Sequence, residues 1–211
     1  MGCHTTVGPT ISFVVPLSHF HAHCTSGSAG ILPISFLFKR QGKLHRQKGD
    51  VNPDVCRDCL NNATSLLTQF CPDQKEAIGW YDYCMLRYSN RSIFGILETL
   101  PAFYMLNLNN VSANCVDQFN DDLSTLLESL RREAVAGGSL RKFAAGNATA
   151  PNFQTLYALV RYTPDLSEKD CSDCLRGAIE GIPQCCDGKQ GGRVVNPSCN
   201  IKFEVYPVPI L

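Results

Sequence analysis

The sequence predicts an α+β fold built by duplication, on three observations. Four cysteines recur at a fixed offset of 115 residues: Cys56, Cys59, Cys71 and Cys84 fall on Cys171, Cys174, Cys186 and Cys199 without a gap. Their neighbours repeat with them, Asp50, Asp58, Leu60, Ala63 and Gln69 meeting Asp165, Asp173, Leu175, Ala178 and Gln184. In each copy an apolar stripe at helical spacing precedes short extended segments.

Taken in order, the first copy opens with Asn52 as a helix cap and Pro53 at the first helical position. Cys56, Cys59, Leu60, Ala63 and Leu67 then share one helix face, and extended segments follow at 78–81 and 84–88. In the second copy Phe119, Leu123, Leu126, Leu127 and Leu130 mark a helix ending near Gly137 and Gly138, and the β-prone run 156–162 comes after it. Ser167 caps the next helix, with Cys171, Cys174, Leu175, Ala178 and Ile182 as its stripe and Pro183 as its stop. Extended segments at 193–195 and 200–206 complete the copy. Before Asp50 there is no counterpart of the 119–130 helix, only a charge-free stretch and a basic segment with Lys39, Arg40, Lys43, Arg46 and Lys48. The expected organisation is an irregular leader over 1–48, a partial first module over 49–100 and a second module over 101–211.

Twelve cysteines in 211 residues point to disulfides or metal, and compartment separates the two. Glycosylation triplets stand at Asn62, Asn90, Asn110 and Asn147. One triplet is noise, but four beside this many cysteines place the chain in the secretory pathway with oxidised thiols. The leader fits that less well. Residues 1–38 carry no Asp, Glu, Lys or Arg, and the apolar stretch 11–17 lacks a basic start and contains Pro16, so secretion is conditional on a working signal. Neither this stretch nor 31–38 is long enough to span a bilayer.

Several function classes are set aside. Lys+Arg and Asp+Glu number 19 each, so no net field draws nucleic acid or anionic lipid. A Cys-x2-Cys inside a helical stripe, followed by widely spaced single cysteines, is not the paired-knuckle pattern of structural zinc, and no metal or cofactor is expected. His19, His21, His23 and Cys24 alternate in a stretch with no packing pattern and read as leader, not ligands. Cys185 beside Cys186 reads as one structural and one surplus cysteine. There is no phosphate loop, no Gly-x-Ser-x-Gly elbow and no kinase signature, and His45 is the only histidine after residue 23, so no catalytic residues are assigned and the chain is not read as an enzyme.

The stretch 50–206, three quarters of the chain, resembles the ectodomains of plant cysteine-rich receptor-like kinases and the cysteine-rich repeat secretory proteins, built from stress-antifungal, ginkbilobin-like modules. The likeness is carried by Cys56-Arg-Asp-Cys59-Leu60, by 80–90 from Trp80 through Cys84 to Asn90, by Gly138-Ser-Leu-Arg-Lys-Phe143, and by 185–193, Cys199 and Glu204-Val-Tyr-Pro207. It implies two tandem modules of helices on a small antiparallel sheet, the first truncated, with disulfides Cys59–Cys84 and Cys174–Cys199. It also implies Cys-x8-Cys-x2-Cys, and this sequence breaks that pattern: Gln47 and Tyr162 stand where the leading cysteines belong. Cys56 and Cys171 then lose their partners, at about 2–4 kcal/mol for each missing bridge, and a cysteine at Tyr162 is expected to raise the melting temperature.

Binding is the function the resemblance implies. Receptors of this kind continue into a membrane helix and kinase, whereas this sequence stops soon after the second module, as a secreted or truncated receptor form would. The expected role is a non-catalytic secreted, apoplastic protein of plant stress or defence, with an extracellular protein partner. The alternative is mannose recognition, as in an antifungal seed lectin of the family that uses an Asn, an Arg and a Glu. Laid over the second copy, these fall on Arg193, Glu204 and Asn109 or Asn110; the first copy has Ile78 and Ser89 in the Arg and Glu places. An Arg and a Glu on adjacent strands also read as a surface ion pair worth little.

Overall fold

The computed structural model describes residues 14–16, 21–25, 35–38, 53–81, 84–137 and 142–206. The chain divides into two compact units, one holding 20–96 and the other 11–19 with 97–209.

In the first unit, strands β2 (His21–Thr25) and β3 (Ser35–Phe38) flank β4 (Glu76–Trp80) and β5 (Met85–Ser89) in an antiparallel sheet of order β2-β4-β5-β3, and α1 (Pro53–Phe70) packs on it. Strand β1 (Val14–Pro16) belongs to the other unit. The leader thus supplies three strands, an arrangement its composition does not announce. Of the stripe read from the sequence, Ala63 and Leu67 are inaccessible to solvent and pack with Cys71, Ala77, Cys84 and Leu86, and Cys59 and Leu60 pack half-buried against them. Two tyrosines from the sheet side reach the backbone of α1 and of the residue after it, Tyr81 donating to the Ala63 carbonyl (3.1 Å) and Tyr88 to that of Cys71 (3.3 Å). Among the described residues this unit has one helix, and it is the shorter version of the module.

The second unit is a six-stranded sheet of order β1-β6-β9-β10-β8-β7, with β6 (Phe103–Leu106), β7 (Phe143–Ala150), β8 (Gln154–Tyr162), β9 (Gly191–Val195) and β10 (Cys199–Glu204). Its pairings are antiparallel except β1 with β6. Helices α2 (Val116–Ala136) and α3 (Glu168–Glu180) cover one face. The α2 stripe of Phe119, Leu123, Leu126, Leu127 and Leu130 is buried there against Leu156, Val160, Ile201 and Phe203. The Ser167 hydroxyl accepts from the Asp170 amide (3.1 Å), which satisfies one of the free N–H groups at the start of α3.

Two readings are corrected. The helix after Ser167 stops at Glu180, not at Pro183: Gly181 closes it, and Pro183 lies inside a further short helix, α4 (Ile182–Cys186), near its start, where a missing N–H costs nothing. Cys185 and Cys186 are not one structural and one surplus residue but are bonded to each other. Strands β6 and β7 carry no assignment in the sequence, because Phe103-Tyr-Met-Leu is too short for a period and Ala-Ala-Gly-Asn-Ala-Thr-Ala is too weakly apolar to show one.

Candidate functional site

The face of the second sheet turned away from its helices is closed and mixed, with the buried apolar side chains of Met105, Leu159 and Val195 set among polar ones. On β10 the residues Asn200, Lys202 and Glu204 alternate with the core residues Ile201 and Phe203. Arg193 on β9 lies across from Lys202 of β10 and from Met105 of β6, and Arg161 on β8 lies across from Asn200. Arg193 and Glu204 are therefore diagonal neighbours on adjacent strands, a placement that separates backbones by about 7–8 Å. Both are only 8% exposed, and Asn200 and Arg161 are buried further. Arg161 Nε donates to Asn200 Oδ1 (2.5 Å). Burial, and next the charge of Arg193, push the Arg161 guanidinium below its usual value.

Glu204 ends β10 opposite Gly191, and the absence of a side chain there makes its position possible. A Cβ on Gly191 would overlap the Glu204 carboxylate, so a side chain there would push the carboxylate out of this position. The carboxylate accepts from Asn107 Nδ2 (3.1 Å), while burial raises its pKa above the ordinary carboxylate range. Asn107 is fixed in turn by its amide, which donates to the Gly191 carbonyl (2.9 Å), and by its Oδ1, which accepts from the Asn109 amide (3.0 Å). Asn109 is exposed, and its carbonyl accepts from the Gln190 amide (3.0 Å). Lys189 Nζ donates to Asn110 Oδ1 (2.6 Å). Of the three asparagines near this loop, the one whose side chain meets Glu204 is Asn107. The signal that finds it is register: β6 ends at Leu106 beside Gly192, which sets residue 107 next to Gly191.

Disulfides join Cys59 to Cys84 and Cys174 to Cys199 and tie α1 and α3 to their sheets, each across 25 residues. Those four sulfurs are thus not available as metal-binding thiolates. Cys71 is also disulfide-bonded. Cys115 and Cys171 are free thiols, the first half-buried and the second inaccessible. Tyr162, where the resemblance implies a cysteine, is itself inaccessible: its hydroxyl donates to the Ala134 carbonyl on α2 (3.0 Å), and Lys142 Nζ lies 5.0 Å from its ring centre. The side chains of Cys24, Cys56, His19, His21 and His23 lie outside the described residues. Of the glycosylation triplets, Asn62, Asn110 and Asn147 are exposed and Asn90 is half-buried.

One end of the second unit presents apolar side chains to solvent. Between β7 and β8, Asn152 and Phe153 take left-handed backbone conformations (φ 58° and 57°), which a phenylalanine rarely adopts. The Phe153 side chain is fully exposed, and Leu108 is 71% exposed. Asn152 Nδ2 donates to Ser112 Oγ (3.5 Å), on the segment that follows Leu108.

A family profile described as salt stress response/antifungal matches residues 47–91 and 107–206. Cysteine-rich receptor-like protein kinase 25 of Arabidopsis thaliana is 45% identical over 160 residues, covering 76% of this chain and 23% of that protein. Cysteine-rich repeat secretory protein 38 of the same plant and an antimicrobial ginkbilobin-2-like protein of Castanea crenata are each 41% identical over 160 residues. Those alignments cover 76% of this chain and 62% and 65% of the relatives. The chain thus spans about a quarter of the length of the kinases it matches. The crystal structure of the tandem DUF26 ectodomain of the Arabidopsis thaliana cysteine-rich receptor-like protein PDLP8 superposes with a TM-score of 0.64 at 16% identity, over 88% of this chain and 80% of that one. No helix among the described residues is long and apolar enough to cross a membrane.

Proposed function

Because the chain belongs to the salt stress response/antifungal family of cysteine-rich ectodomains and secretory proteins, we propose that it is a non-catalytic apoplastic binding protein of the plant stress response whose second unit docks a protein partner. The observation that carries this reading is Phe153. A fully exposed aromatic side chain, held on a backbone conformation that costs about 1–3 kcal/mol, stabilises nothing in the free chain. Exposed aromatic anchors that are set in advance are the residues from which interfaces draw most of their energy. The test is capture from apoplastic fluid by the secreted protein. Phe153→Asp is expected to lose the captured protein and Arg193→Ala to keep it; capture that survives Phe153→Asp sinks the reading.

A second reading, mannose-type recognition, draws on the Asn107–Glu204 contact beside Arg193 and on the antimicrobial name of the chestnut relative. A cation, a carboxylate and an amide at one strand end have the donors and acceptors that sugar hydroxyls require. Arg193 and Glu204 are buried, however, and a sugar would have to open this face to reach them. A glycan array with a mannose signal that Arg193→Ala abolishes would favour this reading over the first.

A further inference from the structure

The second sheet treats its two edges differently. At one end of the order lies β1, three residues closing on Pro16, a short strand that offers little to a neighbour. At the other end lies β7, eight residues all paired with β8 and, among the described residues, with no further strand beside it. An antiparallel strand with one partner turns alternate backbone N–H and C=O groups outward, a template for another strand. Edge strands are ordinarily blunted by charge, proline or a bulge, and Phe143–Ala150 contains no charged residue and no proline. The one device on β7 is the triplet Asn147-Ala148-Thr149.

Its placement suits a cap. A Cβ built on Gly146 would touch Leu130 and Leu126 of α2, so even-numbered positions face the helix and Asn147 and Thr149 face away; both are exposed. We propose that an N-glycan on Asn147 caps the β7 edge, and that two copies of the chain pair through β7 when it is absent. A second copy is the fitting occupant because an uncharged strand meets its own copy without like-charge repulsion. In an antiparallel two-fold pair, odd positions must oppose odd ones, so the pair centres on Gly146 or Asn147, at the middle of the strand. Each Asn147 then faces its copy or that copy's Ala145, and two glycans meet where the strands must approach to about 5 Å.

The proposal rests on passage through the secretory pathway, and its test separates the two. The protein is secreted from plant cells, its glycopeptides are mapped, and its mass is measured by light scattering. Wild type is expected to be glycosylated at Asn147 and monomeric. Asn147→Gln and Thr149→Val, which both lose the triplet and keep the strand neutral, are expected to double in mass, as is wild type from tunicamycin-treated cells, which needs no substitution. Thr149→Lys also loses the triplet but sets a charge on the edge, and is expected to stay monomeric; Asn110→Gln is expected to leave the chain monomeric. Sugar at Asn62 or Asn110 with none at Asn147 overturns this proposal alone, and sugar nowhere overturns the secretory reading with it. Unglycosylated chains that stay monomeric, or a Thr149→Lys dimer, overturn edge pairing.

Discussion

Tyr162 shows how one residue can replace a bond. It stands where the resemblance implies a cysteine, fills the space with a ring that solvent does not reach, and anchors β8 to α2 through the Ala134 carbonyl. Emptying a buried aromatic position costs about 3–5 kcal/mol, and a regained disulfide contributes about 2–4 kcal/mol. The two nearly cancel. Tyr162→Cys is therefore expected to melt no higher than the parent chain while oxidised, and several degrees lower once reductant opens the new bridge. Calorimetry of both chains with and without dithiothreitol measures this. A clear rise in the oxidised variant would mean that the core collapses into the vacated space. The sequence-based expectation of a higher melting temperature counts the bond and not the ring.

At the scale of an element, the β4–β5 pair carries a half-buried charge cluster. Glu76 accepts from Arg87 (2.7 Å) and Ser89 (3.0 Å) on β5 and from Arg91 just beyond it (2.9 Å). Burial opposes its ionisation, but the hydrogen bonds from Arg91 and Arg87 outweigh it and hold the carboxyl below its ordinary value. Arg87 is 4% exposed and Arg91 48%, so the weight lies on Arg87. A carboxyl depressed by folding contributes stability that is present above its unfolded pKa, near 4.3, and is lost as pH falls through the folded value. Glu76→Gln is expected to destabilise the first unit by roughly 3 kcal/mol at neutral pH and to flatten the acid limb of its stability profile. Trp80, the single tryptophan, is buried in that unit, so urea titrations followed by its fluorescence read the effect directly. An unchanged midpoint at pH 7 would sink the assignment.

Across the whole molecule the cysteines form a framework whose chemistry differs from thiol to thiol. Non-reducing peptide maps are expected to return Cys59–Cys84, Cys174–Cys199 and Cys185–Cys186. Burial pushes the Cys171 thiol up to about 11, and solvent does not reach it, whereas Cys115 is half-buried. Iodoacetamide at pH 8 is accordingly expected to label Cys115 in the folded chain and Cys171 only after denaturation. Labelling of native Cys171 would show that α3 does not seal the core as described.

The duplication, the helical stripes and the α+β class were legible in the sequence because they depend on spacing along the chain: cysteines at one offset, apolar residues at 3.6-residue intervals, a serine cap before Glu168. Tertiary structure alone decided what depends on register between distant strands. Asn107 meets Glu204 because β6 lies beside β9, Gly191 leaves room for the carboxylate that crosses it, and β7 is an edge because six strands order as they do. Periodicity fixes which face of an element is apolar, while the partner of that element, and so every contact between chain segments far apart, is set by packing.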